Sequence, residues 1–119
     1  MKISVMGTGY VGLVSGTCLA ERGHQVTCID IRSEVVQEIN AGRPPIHEMG
    51  LDNLLRSARD KGMLSATTDA KTAILDSDVT LICVGTPTVD GWMDMSQIVA
   101  AAKEIGSALA SKRGYHVVA

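Results

Sequence analysis

The sequence has no excess of charge of either sign: 11 Lys and Arg stand against 13 Asp and Glu, for a net charge of −2. That excludes the basic footprint by which a chain grips nucleic acid or an anionic membrane. No apolar run approaches the roughly 20 residues of a membrane span. The N-terminus enters a strand pattern at once, with no signal-peptide character. Cysteine is scarce and odd in number, and Cys18, Cys28 and Cys83 lack metal-ligand spacing. Each falls inside an expected helix or strand, so we expect three buried, reduced thiols, a cytoplasmic protein and no metal. Internal repeats, low-complexity tracts and linkers are also missing. What remains, 119 residues with 45% hydrophobic and 20% charged content, fits one globular domain with its own core.

Met1 to Asp30 is the most informative stretch. A short apolar run, Ile3 to Met6, leads into Gly7, Gly9 and Gly12 in G-x-G-x-x-G spacing. A helical pattern follows, and a second apolar run ends in Asp30, 18 positions after Gly12. Strand, glycine turn, helix, strand and acid in this order form the dinucleotide-binding arrangement. Gly7 permits the tight turn, Gly9 lets the backbone approach a diphosphate, and Gly12 lets the helix lie close on the sheet, with Gly16 and Ala20 extending that small face. Free amides and the positive dipole end of the helix then meet the phosphates. Asp30 can accept from both hydroxyls of an adenosine ribose and would repel a 2′-phosphate, which favours NAD over NADP. Arg32 stands close enough to soften that preference. The bland alternative is a tight βα turn followed by an exposed acid.

The rest of the chain alternates helix and strand patterns. Val11, Val14, Cys18 and Leu19 recur at helical spacing up to Arg22-Gly23. Gln25 to Ile29 reads as a strand, and Ser33 as the cap of a helix over Glu34 to Asn40 that Gly42 stops, with Val35, Val36 and Ile39 inward. Pro44-Pro45 forces an extended segment. Leu51, Leu54, Leu55 and Ala58 mark one face of a helix ending near Lys61. His47 and Glu48 suggest an acid/base pair, but a solvated loop before that helix is the better reading. Met63 to Thr67 is strand-like, and Asp69 to Leu75 is a short helix capped by Thr68 or Asp69. Val79 to Val84 reads as a strand buried on both faces. Gly85-Thr86-Pro87 then lies at the carboxyl edge, where open α/β sheets bind ligands. Asp90-Gly91 signals a turn, and Asp94 with Gln97 resembles a capping box. Ile98, Ala102, Ile105 and Leu109 mark a long helix ended by Gly114, and Tyr115 to Ala119 begins another strand. The expected fold is α/β: a Rossmann-like doubly wound parallel sheet, truncated within a late strand as in an excised fragment, with residues 1–119 as one NAD-binding domain.

Three segments bring a family into view: Gly7-Thr8-Gly9-Tyr10-Val11-Gly12-Leu13; Pro45-Ile46-His47-Glu48 with Gly50-Leu51; and Leu75-Asp76-Ser77-Asp78 running into Ile82-Cys83-Val84-Gly85-Thr86-Pro87. In register over essentially the whole chain, the sequence resembles the N-terminal domain of the UDP-glucose/GDP-mannose dehydrogenase family, slightly nearer the GDP-mannose branch. The resemblance implies oxidation of a nucleotide sugar's C6 hydroxyl to a carboxylate with two NAD. It implies diphosphate contacts at Tyr10 and Val11, ribose contacts at Asp30, and Thr86 near the nicotinamide. The family's nucleophilic cysteine, its lysine and its nucleotide-sugar contacts belong to a later domain. No catalytic residue is therefore expected here, and the fragment alone should be inactive. The full-length protein is expected to be a homo-oligomer that binds neither nucleic acid nor membrane. Val35 stands where the family often has a basic residue, and Met49 where it usually has proline. Two other readings share the glycine turn: the cofactor domain of a 3-hydroxy acid or 6-phosphogluconate dehydrogenase, and a non-catalytic nucleotide sensor or S-adenosylmethionine-binding fold.

Overall fold

A computed structural model describes residues 1–119. Strand β1 (Lys2–Met6) passes through the glycine turn into helix α1 (Tyr10–Glu21), followed by β2 (Gln25–Ile29) and α2 (Ser33–Asn40). Next come α3 (Leu51–Asp60), β3 (Leu64–Thr67), α4 (Ala70–Leu75) and β4 (Val79–Ile82). A small hairpin of β5 (Thr88–Val89) and β6 (Trp92–Met93) precedes α5 (Ser96–Leu109) and β7 (Val117–Val118). The main sheet is parallel throughout, in the order β3-β2-β1-β4-β7. The chain winds outward from β1 on one side, then returns to lay β4 on the other, which puts a switch point between the carboxyl ends of β1 and β4.

Alternation along the strands supplies both faces of the sheet. Ile3, Val5, Val26 and Cys28 point to one side and pack against Leu13 and Ala20 of α1, Val35 and Ile39 of α2, and Leu51, Leu55 and Ala58 of α3. Met6 and Ile29 point to the other side, against α4 and against Ala101, Ile105 and Ala108 of α5. This is the doubly wound arrangement expected. The second face also holds a seam of hydroxyls. Ser4 Oγ shares hydrogen bonds with Ser77 Oγ (2.9 Å) and Thr80 Oγ1 (2.7 Å), and Thr80 Oγ1 pairs with His116 Nε2 at 2.8 Å. Lys112 Nζ donates to the carbonyls of Ile74 and Ser77 beside it. No helix is long and apolar enough to cross a membrane.

Several expectations shift. On α1 the buried face is Gly12, Leu13, Gly16, Thr17 and Ala20, while Val11 is 69% exposed and Cys18 is exposed. The small residues seat on the sheet, which rotates Val11 and Cys18 outward. Only Cys28 of the three free thiols is buried; Cys83 is half-buried just past the end of β4. That strand stops at Ile82 rather than Val84, where its pairing with β1 ends at Met6, and Leu81 and Ile82 are half-buried. Arg32, not Ser33, occupies the N-cap of α2. Leu54 is exposed on α3. The α5 stripe uses Ala101 and Ala108, with Ala102 exposed, and the helix ends at Leu109 well before Gly114. Gly114, at φ +113°, instead turns the chain toward the short β7. Asp94 does not form a capping box with Gln97; its Oδ1 accepts from the Ser96 amide at 2.9 Å. Asp69 does cap α4, accepting from the Thr72 amide. Asp90 (φ +51°) and Gly91 (φ +80°) form the two-residue turn of the hairpin. His47 and Glu48 are exposed in a loop, as expected.

Leu55 is fully buried where α3 meets the core. Leu55→Ala should lower the unfolding free energy by about 2–5 kcal/mol, read from urea denaturation midpoints.

Candidate functional site

The carboxyl ends of β1, β2 and β4 meet at the glycine turn. The Gly7 amide donates to the Ile29 carbonyl (2.9 Å), and the Cys83 amide donates to the Met6 carbonyl (2.8 Å). Gly7 has φ +101°, and a Cβ there would lie 2.6 Å from the Cys83 carbonyl oxygen. A Cβ on Gly12 would lie 1.9 Å from the Gly7 carbonyl oxygen and 3.1 Å from Cys83 Cβ. Gly12 is therefore required by the turn folding back on the helix and on Cys83. Contact with the sheet falls to Gly16, where a Cβ would sit 3.3 Å from Cys28 Sγ. Gly9 is different: nothing lies within 4 Å of the position its Cβ would take. The room above it is open.

That room is bordered by donors. No side chain caps α1, and its first turn has no acid. The amides of Gly9, Tyr10, Val11 and Gly12 find no acceptor in the chain; the first capping bond runs from Leu13 to the Gly9 carbonyl (3.0 Å). Unpaired amides at the positive end of a twelve-residue helix, beside open space, make an anion site suited to a diphosphate.

Asp30 lies at the adjoining end of β2 and is 8% exposed. Its Oδ1 accepts from the Arg32 amide (2.9 Å) and Arg32 Nε (3.1 Å). Its Oδ2 accepts from Arg32 Nη2 (3.3 Å) and from the hydroxyl of Thr8. Burial pushes the Asp30 pKa up, but the bonds from Arg32 and Thr8 outweigh it and hold the carboxyl below its ordinary value. Thr8, buried within the turn, was not read from the sequence as a site residue; its hydroxyl between Gly7 and Gly9 was the only sign of its role.

Past β4, Gly85 is exposed and Thr86 half-buried. The Gly85 amide donates to Gln97 Oε1 at 3.2 Å, so the first turn of α5 steadies this loop. Sequence spacing had assigned Gln97 to a cap. Neither thiol near the crevice is activated. Burial, with Cys83 and Asp30 adding, pushes Cys28 up to about 12, and burial raises Cys83. No group of acids, histidines and cysteines could hold a metal. Val35 is buried in the core, so among the positions considered only Arg32 brings a cation to Asp30. A surface depression of about 610 Å3 lies by Lys2, Asp76 and Asp78 at the amino edge of the sheet and includes none of these residues.

Comparison with known proteins agrees with this geometry. Residues 1–119 match the family described as UDP-glucose/GDP-mannose dehydrogenase family, NAD binding domain. GDP-mannose 6-dehydrogenase of Pseudomonas aeruginosa is 48% identical over 119 residues, covering 99% of this chain and 27% of that protein. UDP-glucose 6-dehydrogenase of Rhizobium meliloti is 47% identical over 120 residues, with the same coverage. Among solved structures, a ternary complex of the Pseudomonas aeruginosa GDP-mannose dehydrogenase superposes with a TM-score of 0.97 at 48% identity, over 99% of this chain and 27% of that one. A UDP-glucose dehydrogenase from Pyrobaculum islandicum superposes at 0.92 with 39% identity, over 98% and 27%. The chain spans 27% of the length of these relatives.

Two expectations concern stability. Gly12→Ala should lower the thermal midpoint sharply, since a Cβ 1.9 Å from a carbonyl oxygen forces the turn apart, whereas Gly9→Ala should leave it nearly unchanged. Differential scanning calorimetry separates the two. Because the folded Asp30 pKa lies below its ordinary 3.8, its contribution is present above that value and fades as pH falls through the folded value. The stability gap between wild type and Asp30→Asn in urea titrations should therefore be larger at pH 7 than at pH 2.

Proposed function

We propose, from the premise that this chain belongs to the UDP-glucose/GDP-mannose dehydrogenase family, that its glycine turn and Asp30 hold NAD for the oxidation of a nucleotide sugar. The observation that carries this reading is the run of unpaired amides from Gly9 to Gly12 beside open space, with a buried carboxylate one strand away. In this reading Gly7 and Gly12 shape the turn, and Gly9, Tyr10 and Val11 bring main-chain amides to the diphosphate. Asp30 accepts from the adenosine ribose, with Arg32 beside it. Gly85 and Thr86, at the exit of β4 across the switch point, meet the nicotinamide end. Bound NAD supplies a hydride acceptor.

The substrate class follows from what relatives are named for. We infer that the whole protein oxidises the C6 hydroxyl of UDP-glucose or GDP-mannose to a carboxylate, reducing two NAD. Residues 1–119 serve as the cofactor domain, and the catalytic nucleophile and sugar contacts lie elsewhere. Raised thiol pKa values at Cys28 and Cys83 support that division, because a thiol kept protonated is a poor nucleophile. Chemistry depends on a second unit placing a sugar C6 against the nicotinamide, so this chain alone should bind cofactor and turn nothing over.

Isothermal titration with NAD tests the proposal. Wild type should bind, Asp30→Asn and Gly9→Val should each weaken binding by about tenfold or more, and S-adenosylmethionine should give no heat. A folded chain that ignores millimolar NAD would end this reading.

A further inference from the structure

The carboxylate of Asp30 has no acceptor site to spare. A carboxylate offers about four lone-pair directions, and four donors fill them: the hydroxyl of Thr8 and the amide, Nε and Nη2 of Arg32. A ribose bringing two hydroxyls cannot bond there unless two of the four withdraw. Thr8 is 2% exposed and is fixed within the turn that Gly7 and Gly12 hold. The Arg32 amide belongs to main chain at the cap of α2. The guanidinium has neither constraint, because its side chain is 57% exposed and enters from solvent.

We propose that Arg32 is a specificity-determining residue that closes the adenosine end of the site, its guanidinium occupying the ribose acceptors of Asp30 until a cofactor displaces it. The inference rests on the reading that Asp30 takes the ribose. Arg32 then acts as an internal competitor of NAD rather than as one more contact. Once displaced, it remains tethered two residues from Asp30. There it offers a planar, permanently charged fork to any 2′-phosphate that the carboxylate would otherwise repel. The same side chain thus weakens NAD and narrows the discrimination against NADP.

The test is titration of NAD and NADP into wild type, Arg32→Ala and Arg32→Met, the last keeping an apolar stem without the fork. Both variants should bind NAD about two- to fivefold more tightly, the range set by a partly exposed ion pair, and should prefer NAD over NADP more strongly than wild type. Equal or weaker NAD binding by the variants, with wild type binding normally, overturns this inference and leaves the cofactor assignment standing. A folded wild type that does not bind NAD overturns both. The Arg32 Nε–H resonance of wild type gives a readout free of variants. It should be protected from solvent exchange without NAD and lose that protection at saturation; an unchanged resonance counts against displacement.

Discussion

Everything at the carboxyl edge depends on three stretches of backbone approaching more closely than side chains allow. The turn after β1, the first turn of α1 and the exit of β4 meet where a Cβ on Gly7 or Gly12 would fall within 2.6 Å or 1.9 Å of a carbonyl oxygen. That contact sets the angle at which α1 leaves the sheet, and so the direction of its unpaired amides. It also draws Cys83 against the turn, which holds the strand exits on both sides of the switch point in one rigid piece. Glycine is needed at two of these positions for folding. At Gly9 nothing in the chain requires it, so the open volume there is available to a ligand.

Charge is distributed around this edge in a complementary way. The helix end presents donors with no acid to quench them, while the neighbouring strand ends in a carboxylate held ionised by Arg32 and Thr8. Donors at the exit of β1 and the acceptor at the end of its neighbour β2 open onto the same edge of the sheet. One hydrogen-bonding partner of Asp30, Thr8, comes from within the glycine motif and the other, Arg32, from two residues past the acid, which makes the acid part of a local network rather than a lone side chain on a strand tip.

Legibility from sequence followed the range of the interactions. The glycine turn, the acid and the order of elements were readable because each rests on backbone chemistry or on period within a dozen residues. Contacts that cross the chain were not. Gln97 reaches Gly85 from another element, and Thr8 finds Asp30 only once β1 and β2 pair. The stripe of α5 was misplaced to Ala102 because Ala100, Ala101 and Ala102 look alike to any hydropathy pattern, and only packing against α4 selects one. Val11 and Cys18 misled in the opposite way: the apolar side chains face out because the small ones are what the sheet admits. The strands of the hairpin, two residues each, are shorter than any periodicity can register.

The hydroxyl seam of Ser4, Ser77, Thr80 and His116 has a bearing on alignment. An all-aliphatic interior would let β4 slide along β1 at modest penalty, because one greasy residue substitutes for another. Here any slip by one step would turn Ser4 or Thr80 toward the wrong face and strand a donor among methyl groups. The seam acts as a key that admits a single pairing of the two central strands. Since the open crevice lies between the ends of those strands, its width is indexed by hydroxyl matching several residues below it.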